Sequence, residues 1–199
     1  MKAKYCRYVL KFKQPAGTSR GVLHEKETYF LRLEDENAPG VYGIGECAVF
    51  RGLSADDVPG YEDKLKELCA NIGRDEATDL QCFPSIMFGL QTAIYDISNG
   101  GRMLPFPSAF TEGEAGIPIN GLVWMGSKEE MLARIKEKIE AGFTTIKLKV
   151  GAIDFDSELE MVKFIRSRYS EESLTIRLDV NGGFTPENAL QRLSEFAKY

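Results

Sequence analysis

Two short stretches restrict the fold of this chain more than any others: TTIKLKV at 144–150 and LTIRLDVN at 174–181. Both read as strands. Successive side chains of a strand alternate between its two faces. Ile146, Leu148 and Val150 therefore share one face of the first, and Lys147 and Lys149 the other. The second places Ile176, Leu178 and Val180 on one face and Arg177, Asp179 and Asn181 on the other. Unpartnered charge is expensive to bury. Two neighbouring strands that carry opposite charges on their polar faces point to a site rather than to a core.

These strands sit in a regular alternation that begins near residue 117. A strand at 117–124 leads to a helix at 128–141, opened by the capping-box pair Ser127 and Glu130 and closed by Gly142. Met131, Leu132, Ile135 and Ile139 form its apolar stripe. The strand at 144–150 leads to a helix at 156–169 with Leu159, Val162, Ile165 and Tyr169 inward. The strand at 174–181 leads to a helix opened by Thr185 and Pro186. Repeated strand–helix units imply parallel strands. An open doubly wound sheet needs both strand faces apolar, and here only one is. A barrel instead concentrates polar groups at the carboxyl ends of its strands, where Lys149, Asp179 and Asn181 lie. The expected fold class is an α+β N-terminal module followed by the first three βα units of a truncated TIM-type α/β barrel. A complete barrel takes about 250 residues, so residues 117–199 have room for two to three units. Three strands cannot close, and the last exposes an edge through which self-association is expected.

The first half reads differently. Cys6, Tyr8, Leu10 and Phe12 alternate with polar neighbours, as in a half-exposed antiparallel strand. A loop is expected from Gln14 to Gly21, then strands at 24–34 and 41–50. Helices follow at 61–72, with Leu65, Leu68 and Ile72 on one face, and at 84–98, with Met87, Leu90, Ile94 and Ile97 on one face. The segment 99–116 is rich in Gly, Pro and Ser. The expected organisation is a domain at 1–103, a linker at 104–116 and a partial barrel domain at 117–199.

Composition narrows the function classes. The net charge is −5 with scattered basic residues, so no nucleic-acid footprint is expected. No apolar run approaches the roughly 18 residues of a membrane span, and the N-terminal segment lacks an apolar signal core. Cys6, Cys47, Cys69 and Cys82 form no C-x-x-C pair, which suits reduced thiols in a cytoplasmic protein. The one histidine, His24, leaves no histidine metal cluster and no Ser-His-Asp triad within the chain.

The remaining groups define a chemistry. Lys147 and Lys149 project from one face, and like charges so close oppose each other's protonation. That is the circumstance in which a lysine serves as a general base. Asp179, at a strand end, is a hard oxygen donor for a divalent cation. A cation on a substrate carboxylate would stabilise the enediolate left when the adjacent carbon loses its proton. Taken singly, each feature is commonly a solvated strand face or a loop cap. Their conjunction on two successive βα units carries the reading.

The wording of these segments resembles a known family. GFTTIKLKVG (142–151) with IRLDVNGGF (176–184) is similar to the enolase superfamily in its muconate-lactonising branch. GIGE (43–46) resembles the G-x-G-E of that family's capping domain, and PSIMFGLQTAIYD (84–96) its helix before the barrel. IPINGLVW (117–124) and GAIDFD (151–156) resemble the branch's dehydratases that serve menaquinone synthesis. The resemblance implies a Lys base with Mg²⁺ and an enediolate. Lys149 would be that base and Lys147 would tune it and meet the substrate carboxylate. Asp179 would be the first of three carboxylate ligands to Mg²⁺. Arg177, Asn181, Ser19 and Arg20 would help bind substrate, a small-molecule carboxylate, with the loops at 14–24 and 50–52 covering the barrel mouth. Dipeptide epimerases and muconate cycloisomerases share these groups. A truncated, non-catalytic binding or assembly module is a third reading. With one of three carboxylates present, the chain alone is expected to bind Mg²⁺ weakly and to be inactive.

Overall fold

The structure, a computed structural model, describes residues 1–18, 21–74, 78–151 and 153–199. The elements run β1 (Lys2–Thr18), β2 (Gly21–Glu34), β3 (Tyr42–Cys47), α1 (Tyr61–Asn71), α2 (Pro84–Ser98), β4 (Gly121–Val123), α3 (Lys128–Glu140), β5 (Thr145–Lys149), α4 (Phe155–Arg166), β6 (Thr175–Asp179) and α5 (Pro186–Phe196). The chain divides into two compact units. One is Met1–Gln14 with His24–Gly116; the other is Pro15–Leu23 with Ile117–Tyr199.

In the first unit β1, β2 and β3 form a three-stranded sheet in that order, with β2 and β3 antiparallel from Tyr29↔Cys47 to Glu34↔Tyr42. Alternation on β2 buries Tyr29, Leu31 and Leu33 against Tyr61, Leu65 and Leu68 of α1 and Ile86 and Ala93 of α2. The expected loop at Gln14–Gly21 is mostly strand, since β1 reaches Thr18 and β2 begins at Gly21. Pairing along the ribbon overrides the turn preference of this stretch. Pro15 is tolerated because β1 is an edge strand, where a missing N–H need break no ladder.

The buried face of α2 matches the expected one in part: Met87, Leu90 and Ile97 pack half-buried against the core, and Ile94 does not. Ile86, Gly89, Ala93 and Asp96 are buried, whereas Ile94 is 40% exposed. The cause is backbone contact between β3 and α2. A Cβ on Gly45 would lie 1.8 Å from the Gly89 carbonyl oxygen, and one on Gly43 2.0 Å from that of Ala93. The helix therefore brings its small residues Gly89 and Ala93 closest to the strand, and Ile94 is left outside. Buried Asp96 accepts from the backbone N–H of Ile44 (3.0 Å) and Leu104 (3.2 Å), tying strand, helix and following loop together.

In the second unit β4, β5 and β6 form a parallel sheet in that order. The register runs Gly121↔Ile146 to Val123↔Leu148, and Thr145↔Thr175 to Lys149↔Asp179. Ile146, Leu148 and Val150 are buried with Met131 and Ile135 of α3, Leu159, Val162 and Ile165 of α4, and Phe196 of α5. The helices thus cover the apolar faces, as the alternation predicts. Ser127 and Glu130 form the expected capping box, with Glu130 Oε2 accepting from Ser127 N–H at 2.9 Å. The strand predicted at 117–124 is confined to Gly121–Val123, because Pro118 lacks a donor and the segment before Asn120 is exposed. Ile176, Leu178 and Val180 are only half-buried, since β6 pairs on one side alone among the described residues. Among the described residues no helix is long and apolar enough to cross a membrane.

Candidate active site

The sheet of the second unit presents a polar face made by alternate residues of β5 and β6. Lys147, Lys149 and Asp179 lie on it and are all half-buried. The parallel register sets Lys149 beside Asp179 and Lys147 beside Arg177. The ion pair runs along the diagonal instead: Lys147 Nζ lies 2.7 Å from Asp179 Oδ2, with each side chain 32% exposed. The same carboxylate accepts from Asn181 N–H through Oδ1 at 3.1 Å. The Lys147 ammonium holds the Asp179 carboxyl below the usual carboxylate range against the opposing effect of desolvation, helped by Asn181 N–H and the charge of Lys149. Lys149 takes a different partner. Its ammonium sits 3.9 Å from the ring centroid of Trp124, the residue after β4.

The loops at the strand ends are fixed by backbone bonds. Val150 N–H donates to Asp179 O at 3.0 Å, joining the two strand ends that carry the charged groups. Glu158, buried on α4, accepts from Gly151 N–H at 2.6 Å and Ile153 N–H at 3.4 Å. It anchors the turn after Lys149 to the helix behind it. Gly151 and Gly183 approach closely: a Cβ on Gly183 would meet Gly151 O at 3.0 Å.

Lys147, Lys149 and Asp179 share the polar face that strand alternation predicts, and the other expected site residues fall elsewhere. Arg177 is exposed and donates to Asn120 Oδ1 at 3.1 Å. Asn181 adopts φ 51° and turns its side-chain amide back onto Asp179 O at 3.0 Å, so it shapes its own loop. Ser19 and Arg20 lie outside the described residues. Trp124, Asn120 and Glu158 were not singled out. An aromatic immediately after a strand, in register with a lysine on the next, was the available signal for Trp124.

Among the described residues no three His, Cys, Asp or Glu side chains gather to hold a metal. Asp179 supplies one carboxylate, and both its oxygens already have partners. The residues present do not make a Mg²⁺ site by themselves. What they do make is a carboxylate paired with one ammonium group, with a second ammonium on the same face of the neighbouring parallel strand. Such an arrangement suits an anionic substrate and proton transfer.

The family described as "Enolase C-terminal domain-like" matches residues 130–199. The relatives and structures below extend that likeness over the rest of the chain. It is 36% identical over its whole length to an o-succinylbenzoate synthase of Desulfotalea psychrophila, covering 62% of that protein. It is 35% identical over 92% of its length to an L-Ala-D/L-Glu epimerase of Bacillus subtilis, covering 53% of that one. Among solved structures, MenC of D. psychrophila superposes with a TM-score of 0.71 at 33% identity, over 99% of this chain and 62% of the other. The o-succinylbenzoate synthase of Thermosynechococcus elongatus, complexed with Mg in the active site, gives 0.71 at 25% identity, over 98% and 57%. The chain thus spans between half and two thirds of the length of these relatives.

Proposed function

We propose that this chain carries the base-bearing part of an o-succinylbenzoate synthase-type site, on the first three βα units of a TIM-type barrel that follows a capping domain at 1–103. The observation that carries the reading is the placement of Lys147, Lys149 and Asp179 on one polar face, with Lys147 and Asp179 joined at 2.7 Å. A half-exposed ion pair of this kind contributes only about 0.2–1 kcal/mol to stability, so folding alone gives little reason for it. In this reading Lys149 removes the proton α to the substrate carboxylate and delivers it to the departing hydroxyl. That is a syn dehydration supplying an aromatic precursor to menaquinone synthesis in the cytoplasm. Lys147 offsets the substrate's negative charge and keeps Asp179 ionised. Arg177 and Asn181, and Ser19 and Arg20, are proposed to order the substrate.

Magnesium, when bound, would supply electrophilic stabilisation of the substrate carboxylate. Asp179 is of the right donor type, yet binding needs further oxygen ligands beyond it. We therefore expect the isolated chain to be inactive, and to be able to self-associate through the exposed edge of β6. The Bacillus subtilis relative, at 35% identity, favours dipeptide epimerisation as the second reading, because the same base serves both.

The test grafts onto this chain the part of the D. psychrophila relative that it does not span. The chimera is assayed with the hydroxycyclohexadiene carboxylate and with L,L-dipeptides. The expected result is dehydration by the chimera and none by the 199-residue chain. Lys149→Ala should lower the chimera's rate by about 10²–10⁴-fold, the usual share of a general base. Dipeptide epimerisation without dehydration, or turnover by the isolated chain, would overturn the reading.

A further inference from the structure

We propose that Trp124 is the positioning residue for Lys149, resting its ammonium on the indole face so that Asp179 is left to Lys147. The proposal rests on the base assignment above and adds what holds that base. Three observations support it. The register pairs Val123 with Leu148, so the next step along the two parallel strands sets Trp124 beside Lys149, on the face opposite those buried side chains. The ammonium lies 3.9 Å from the ring centroid, within the range of a cation–π contact. Lys149 is the direct register neighbour of Asp179, yet among the described residues it is Lys147, one pleat away, that forms the ion pair.

A competing attraction explains that choice of partner. Without the ring, the ammonium of the register neighbour Lys149 would compete for the same carboxylate. With it, half-buried Lys149 stays on the polar face, its ammonium over a ring that is itself 38% exposed.

The ring is itself held. Arg134 of α3 donates through Nη1 to the carbonyl oxygens of Trp124 and Met125, each at 3.1 Å. A side chain at Gly126 would collide with Glu130 Oε2 at 2.7 Å and crowd Arg134 Nη1 at 3.1 Å. The turn after β4 is thereby fastened to the first two turns of α3, and the indole is presented at one place. The chain of support runs from Arg134 through the backbone of Trp124 to the amine of Lys149.

The experiment reads the contact without any substrate. Lysine is labelled with ¹³C at the ε-carbon, and the Lys149 signal is assigned as the one lost in Lys149→Arg. Protons above an aromatic face are shielded, so the Lys149 ε-CH₂ resonance should lie upfield of the exposed lysines. Trp124→Leu should return it to their position, while Trp124→Phe, which keeps a ring, should retain part of the displacement. Trp124 is the single tryptophan, so its emission gives an independent readout: Lys149→Met should shift or brighten it and Lys147→Met should not. Circular dichroism on each variant confirms folding. A Lys149 signal that coincides with exposed lysines in the unmodified chain, or emission that responds equally to both lysine substitutions, overturns the proposal. Neither readout involves turnover, so failure of the dehydration assay and failure of this contact are told apart.

Discussion

Replacing Gly45 by alanine should unfold the first unit at a much lower temperature, and the reason is geometric. The new Cβ would sit 1.8 Å from Gly89 O, 2.6 Å from Gly89 C and 3.0 Å from Gly89 Cα, where ordinary contact begins at 3.4 Å. All three atoms are helix backbone, so no side chain can rotate away. Relief requires α2 to recede from β3 by more than an ångström, which loosens the packing of Ile86, Ala93 and Cys47, all fully buried. It also strains the bonds from Ile44 and Leu104 to Asp96. Overpacking against movable side chains costs about 1–3 kcal/mol, and a backbone-on-backbone clash belongs at or above the top of that range. About 3 kcal/mol in a unit of this size corresponds to a fall in melting temperature of roughly 12–24 °C. Gly116→Ala is the control. Nothing lies within 4 Å of its Cβ position, and such surface changes stay within about 0.5 kcal/mol. The assay is thermal and urea denaturation followed by far-ultraviolet circular dichroism. A Gly45→Ala protein that melts within a few degrees of the Gly116→Ala control would refute the close approach of β3 and α2.

Asp179→Asn should change stability by less than about 1 kcal/mol at neutral pH, since the ion pair it breaks is only half-buried and is screened by solvent. The Asp179 carboxyl is held below its usual value of 3.8, so its stabilising contribution is complete above that value and fades as pH falls toward the lower folded-state value. Acid denaturation profiles of the two proteins should therefore converge at low pH, and added salt should narrow the difference at neutral pH. Asp96→Ala strands the N–H groups of Ile44 and Leu104 and should cost about 2–5 kcal/mol by urea denaturation. Burial pushes the Cys47 thiol up to about 12, so Cys47 stays a thiol at pH 8. Alkylation followed by mass spectrometry should mark exposed Cys6 and Cys82 in the folded chain and reach Cys47 only after denaturation.

Much of the site was legible in the sequence because strand alternation is a local property. Once TTIKLKV and LTIRLDVN are strands, their pleats put Lys147, Lys149 and Asp179 on faces opposite the apolar residues, whatever surrounds them. The capping box at Ser127 and Glu130 was legible for the same reason, since it closes within one helical turn. The buried stripe of α2 was legible only in part, since Met87, Leu90 and Ile97 pack against the core as expected. Hydrophobicity pointed to Ile94, and the close approach of Gly43 and Gly45 turned Ala93 inward instead. The loop expected at Gln14–Gly21 failed similarly, because turn preference is weak beside a partner strand.

Residue pattern alone settled the βα alternation and which side chains face away from the helices, since both follow from the repeat lengths of strand and helix. The fold decided which charges meet. Lys147 rather than Lys149 takes Asp179, and Trp124 takes Lys149. Those choices depend on strand register and on a turn clamped by Arg134, and both are set only when residues far apart in sequence are brought side by side.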